Sequence, residues 1–113
     1  MEIPYLLSKV TESALDLKCI NLIQFDMEGK SSIADYVLVC HGTSRAHSQG
    51  IADRILLNLK KEGLLPLGVE GYDEGSWILI DFNTVLIHIF LEDIRETFQI
   101  EEIYQDFPSK SFE

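Results

Sequence analysis

The sequence predicts an α/β fold: a single mixed β-sheet of about five strands flanked by helices. Three observations carry that expectation. Residues 4–18 repeat apolar side chains at helical spacing; Tyr36-Val37-Leu38-Val39-Cys40 is apolar without a break; Trp77 to Phe90 alternates as two tightly joined strands. Helix-period and strand-period segments interleave along 113 residues, a length that suits one domain. Apolar residues make up 46% of the chain, enough to build a core and too many for a disordered polymer. No apolar run approaches the ~18 residues of a membrane span, so no membrane partner is expected.

The elements follow in order. Leu6, Leu7, Val10, Ala14 and Leu17 form a helical stripe, with Pro4 in its first turn. Cys19 to Phe25 is short and rich in Ile and Leu, a strand. Asp26-Met27-Glu28-Gly29-Lys30 is a turn, and Tyr36 to Cys40 is a strand buried on both faces. Thr43 or Ser44 caps a helix that runs to about Glu62 and buries Ile51, Ile55, Leu56 and Leu59. Lys60 and Lys61 suit its negative end, and Gly63 is the expected left-handed stop. Leu64 to Gly71 contains Pro66 and therefore reads as an edge strand. Leu91 to Tyr104 is a short acidic helix followed by a second helical turn. Residues 1–104 form the expected domain, and residues 105–113 an acidic, frayed tail.

The charge is strongly asymmetric. The chain carries 19 acids against 9 bases, a net of −10, which repels phosphate backbones and argues against direct nucleic-acid binding. Residues 1–69 hold eight acids and seven bases, whereas residues 70–113 hold eleven acids and only Arg95 and Lys110. Two cysteines, Cys19 and Cys40, sit in apolar segments and read as buried small hydrophobes. Residues 1–18 show neither secretory nor transit character, so a reduced, cytoplasmic protein is expected.

Chemistry-bearing motifs are sparse. Gly42-Thr43-Ser44, between a strand and a helix, could bind an anion at the helix N-terminus, but no phosphate-loop pattern surrounds it and helix capping alone explains these residues, which makes capping the preferred reading. A strand ending in Gly-Thr-Ser is also found in nucleotidyltransferases, whose chemistry needs two or three carboxylates; the segment that follows offers only Asp53, and no Asp-x-Asp occurs. His41, His47, His88 and the two cysteines match no zinc spacing, so neither a metal nor a cofactor is expected. The hairpin is more informative. A two-residue loop at Asn83-Thr84 puts Ile78, Ile80 and Phe82 beside Val85, Ile87 and Ile89, a core face. The other face carries Trp77, Leu79 and Asp81 beside Leu86, His88 and Phe90. That mixture is either a docking patch with aromatic anchors and an orienting carboxylate, or a surface covered by a helix, with Asp81 pairing His88 or capping.

Six runs, in this order and spacing, resemble the ribosomal silencing factor family (RsfS, or Iojap). They are residues 29–36 (GKSSIADY), Gly42-Thr43-Ser44, Ile51-Ala52-Asp53, residues 66–71 (PLGVEG), residues 77–81 (WILID) and His88-Ile89-Phe90. The resemblance covers residues 5 to 104. It implies a nucleotidyltransferase-like fold without the catalytic carboxylates, and a protein that is not an enzyme. It implies binding to the large ribosomal subunit through its protein L-fourteen, steric block of subunit joining, and a homodimer when free. The shared surface it implies comprises Glu70, Trp77, Asp81 and His88, with His47 on the long helix. Three positions depart from the family pattern: Arg45-Ala46-His47 where Ser-Arg-His is usual, Asn83-Thr84 where Gly-Asp is usual, and Tyr104 where tryptophan is usual. The competing readings are a small nucleotide- or phosphate-using enzyme at the Gly42-Thr43-Ser44 turn and a dimeric adaptor for another basic protein.

Overall fold

Helix α1 (Ile3–Asp16) has Pro4 in its first turn, which its fixed φ suits, and buries Leu6, Val10 and Ala14. Strands β1 (Ile20–Asp26) and β2 (Tyr36–Gly42) then pair antiparallel. Helix α2 (Arg45–Lys61) is capped by Ser44, whose Oγ accepts the His47 N–H at 3.0 Å, and the chain turns after it at Gly63 with φ +84°. Three strands follow: β3 (Gly68–Glu70), β4 (Trp77–Asp81) and β5 (Val85–Leu91). Helices α3 (Glu92–Phe98) and α4 (Glu101–Tyr104) are separated by Gln99 in a left-handed conformation. The computed structural model describes residues 1–112.

One six-stranded sheet, in the order β3-β4-β5-β2-β1-β6, organises the chain. The pair β2–β5 is parallel and the other four pairings are antiparallel. The expected mixed α/β sheet with flanking helices is therefore present, with one strand more than expected. The additional strand is β6 (Ser109–Phe112), which pairs antiparallel with the outer edge of β1. A frayed tail had been the expectation for residues 105–113. Instead the Asp26 N–H bonds the Pro108 carbonyl at 2.8 Å, and Phe112 packs against the core, so backbone pairing and one aromatic hold the segment. Glu113 lies outside the described residues.

Both faces of the sheet are covered, by different chemistry. Helices α1 and α2 pack on the face built from Leu38, Cys40, Ile78, Ile80, Ile87 and Ile89, all fully buried. The opposite face carries Phe25, Val37, Val39 and Phe90 beneath Ile100 and Tyr104. The β4–β5 hairpin has the expected register, with Trp77 opposite Phe90 and Leu79 opposite His88. Its turn concentrates the positive φ on Asn83 alone (φ 73°), a residue that tolerates it, and spares the β-branched Thr84.

Truncating Ile87, fully buried on an inner strand, tests this core. Ile87→Ala should lower unfolding stability by about 2–5 kcal/mol, read as a lower urea midpoint at unchanged slope.

Candidate functional site

The face opposite α1 and α2 is not covered to its edge. Beyond the reach of α4, strands β3 and β4 and helix α3 bound a groove of about 470 Å³. Trp77 and Leu79 form its floor, Ile94 and Phe98 of α3 one wall, and Glu70, Gly71, Glu74 and Ser76 the other. The Trp77 ring lies 5.0 Å from Phe90 beneath it and 5.3 Å from Phe98 beside it. Phe98 itself is 57% exposed, a large apolar group presented to solvent at the rim. Two exposed carboxylates, Glu70 and Glu74, stand along the groove, and no basic residue among the described residues lines it.

Backbone constraints set the shape of this end. Glu70 sits opposite Leu79, so its side chain emerges on the Trp77 side of the sheet. The loop from Gly71 to Ser76 is tied to α2: the buried Ser48 hydroxyl donates to the Gly75 carbonyl, and Gln49 Nε2 donates to the Tyr72 carbonyl at 2.8 Å. Gly71 has φ +77°, and a Cβ there would stand 2.0 Å from the Trp77 carbonyl oxygen. Only glycine allows the loop to pass so close to the strand that carries the tryptophan.

His88 holds the tryptophan from below. Trp77 Nε1–H donates to His88 Nδ1 at 3.1 Å, which requires an unprotonated Nδ1 and leaves the proton on Nε2, facing the Tyr104 hydroxyl at 3.4 Å. Burial lowers the His88 pKa to about 4, so the neutral ring that this bond needs is the state present at pH 7.

The five residues expected on one surface are thus distributed. Glu70 and Trp77 share the groove. Asp81 lies at the far end of β4, about 13 Å from Trp77 at strand rise; its carboxylate accepts the Asn83 N–H at 2.7 Å, which makes it the turn cap and not the partner of His88. His88 is buried at 6% exposure, because β5 lies one strand further in and Tyr104 covers it; it supports the surface without forming part of it. His47 is on the opposite side of the sheet, where its Nδ1 accepts the Thr43 N–H at 2.9 Å and its Nε2 lies 2.6 Å from the Leu17 carbonyl. Its ring ties α2 to the end of α1. The same bonds occupy the Gly42-Thr43-Ser44 turn, since Ser44 and His47 engage donors that a phosphate would need. Among the described residues, no group of three or more His, Cys, Asp or Glu is placed to hold a metal ion.

Sequence reasoning missed Ile94, Phe98 and Glu74. A signal existed: Ile94 and Phe98 are four residues apart on an otherwise acidic helix, and so share one of its faces. It also missed Arg95, the lone base between Glu70 and Lys110, which is buried at 7% exposure.

Fold and site together describe a small mixed α/β domain whose sheet ends in an aromatic-floored, acid-rimmed groove. The family model described as "Ribosomal silencing factor during starvation" (RsfS) matches residues 1–113, and the chain belongs to that family. It is 37% identical over 101 residues to the ribosomal silencing factor RsfS of Bacillus subtilis (strain 168), covering 88% of this chain and 86% of that one. Its identity to the Haemophilus influenzae ribosomal silencing factor RsfS is 36% over 88 residues, covering 78% and 86%. A crystal structure of a Chromobacterium violaceum protein superposes with a TM-score of 0.89 at 28% identity, covering 93% of this chain and 88% of that one. One from Bacillus halodurans gives 0.83 at 28% identity, covering 97% and 98%.

Two outcomes follow from this geometry. Gly71→Ala should destabilise the protein by about 2–3 kcal/mol and red-shift the emission of Trp77, the only tryptophan in the chain. The second concerns pH. His88 has a pKa near 4 when folded, against an ordinary 6.5, so the unfolded chain binds its proton first. The stability it contributes is fully present above pH 6.5 and is lost as pH falls toward 4, amounting to roughly 3 kcal/mol. His41, lowered by burial and by Arg95, adds to the same trend. Urea midpoints between pH 4 and 7.5 should therefore depend less on pH in His88→Phe than in the wild type.

Proposed function

We propose that the chain docks through the groove onto a basic protein of the large ribosomal subunit, protein L-fourteen, and so blocks joining of the small subunit. The observation that carries this reading is the coincidence of exposed apolar area and one sign of charge. Trp77, Leu79 and Phe98 offer a desolvatable centre, and Glu70 and Glu74 rim it. A carboxylate rim meeting a basic protein speeds the encounter and repels bare RNA, while the aromatic centre sets the residence time. Membership in a family of ribosomal silencing factors supports the ribosome as the place where such a protein partner is found.

The mechanism is steric and needs no turnover. Kinship with nucleotidyltransferases is part of this reading: the strand–turn–helix at Gly42-Thr43-Ser44 keeps that layout while its donors serve the α2 cap. The free cytoplasmic protein is read as a homodimer, supported by the exposed Leu65 and Leu67 beside edge strand β3.

Sucrose-gradient sedimentation of mixed subunits tests the function. Saturating protein should lower the yield of joined ribosomes, and unchanged joining would refute the reading. Binding to large subunits should weaken about thirtyfold or more in Trp77→Ala, the scale of an interface anchor. Glu70→Lys should slow association and reduce its salt dependence. Both variants must keep the wild-type circular dichroism for the comparison to count.

A further inference from the structure

The docking groove has one wall that the sheet does not supply. Helix α3 has seven residues, no side-chain N-cap and a single buried residue, Arg95. A helix this short has no stability of its own, so its position depends on what anchors it. Its apolar residues do not do so: Phe98 is largely exposed and Ile94 is only partly buried, at the margin of the second core.

Arg95 is bonded in four directions. Its Nε donates to Glu101 of α4; one terminal nitrogen donates to the Ile20 carbonyl at 3.2 Å and His41 Nδ1 at 2.9 Å; the other donates to the Asn21 carbonyl at 2.8 Å. The two carbonyls are presented by an irregularity in β1. The register shifts between Ile20 and Ile23, and Asn21 adopts φ 50°, a conformation non-glycine residues seldom take. Such a bulge re-aims backbone groups, and here it aims two acceptors at one guanidinium. An apolar side chain of similar volume can stabilise a buried position as well as an ion pair does, but it makes no directed bond to the Ile20 and Asn21 carbonyls. The planar fork supplies direction.

We infer that Arg95 is a positioning residue for partner binding: by pinning α3 to the β1 bulge it holds Phe98 against Trp77 and keeps the groove formed. This rests on the groove being the docking surface proposed above. Arg95 itself faces away from the groove, is absent from its lining, and acts only through the helix it anchors.

The experiment compares Arg95→Met, Phe98→Ala and the double variant in co-sedimentation with purified large ribosomal subunits, alongside Trp77 fluorescence. Arg95→Met should remain folded by circular dichroism, show red-shifted Trp77 emission and greater acrylamide quenching, and bind about tenfold more weakly, equivalent to ~1.4 kcal/mol. Phe98→Ala should weaken binding similarly, and the double variant should bind no worse than Phe98→Ala alone, since both remove the same wall. Arg95→Lys, which keeps the charge without the fork, should not restore binding. A folded Arg95→Met with wild-type emission and affinity would overturn the inference, as would fully additive losses in the double variant. Should Arg95→Met fail to fold, Glu101→Gln, which weakens the hold on Nε and leaves the backbone bonds, must give the same changes at smaller size; wild-type behaviour there overturns the inference equally. If Phe98→Ala and Trp77→Ala both bind as wild type, the docking surface is elsewhere and the proposed function fails at that point; the emission of Arg95→Met still decides whether Arg95 shapes the groove.

Discussion

The register of the β4–β5 hairpin is the constraint on which the rest depends. With Trp77 opposite Phe90 and Ile78 opposite Ile89, alternation sends Ile78, Ile80, Val85, Ile87 and Ile89 toward α1 and α2, and Trp77, His88 and Phe90 to the other side. A slip of β4 by one residue would turn Asp81 into the aliphatic core and Ile78 and Ile80 out of it. Asn83 makes the register affordable, because it accepts the positive φ of a two-residue connection while Asp81 caps it. The parallel pairing of β2 with β5 then continues the same separation into the middle of the sheet.

From that separation comes a protein with two unlike sides. One is a conventional helix-covered core. The other is an aromatic layer, in which Trp77 packs at a tilt against Phe90 and Phe98 and is hydrogen-bonded to His88 beneath it. Burial keeps His88 neutral, so the support for Trp77 does not depend on a charge. Electrostatics enters at the rim, where Glu70 and Glu74 belong to the strongly acidic part of the chain. Apolar area gives a partner something to bury, and the carboxylates decide which sign of partner approaches.

Much of this was legible because it is local. An apolar run without a polar interruption announced β2, the capping and stop residues bracketed α2, and the side-chain period of two across a two-residue loop defined both hairpin faces. What was not legible depends on how distant segments cover one another. Strand β6 is four residues of ordinary polarity apart from Phe112, and only the free edge of β1 makes them a strand. His88 and Trp77 look alike as aromatic residues on one face, yet one strand's displacement buries the first and leaves the second only partly covered. Nothing local in the sequence announces that the His47 ring meets the Leu17 carbonyl and ties α2 to the end of α1. Arg95 gave no periodic signal, since its partners are backbone carbonyls some 75 residues earlier in the chain.

The central claim is that the aromatic, acid-rimmed end of the sheet is what meets the ribosome. Photo-crosslinking addresses it directly, with a benzophenone side chain replacing either Phe98 at the groove or Leu57, an exposed residue of α2 on the other side of the molecule. On purified large subunits, the Phe98 position should crosslink to protein L-fourteen and the Leu57 position should not. Capture of that protein from Leu57 alone, or of ribosomal RNA alone from Phe98, would contradict the account.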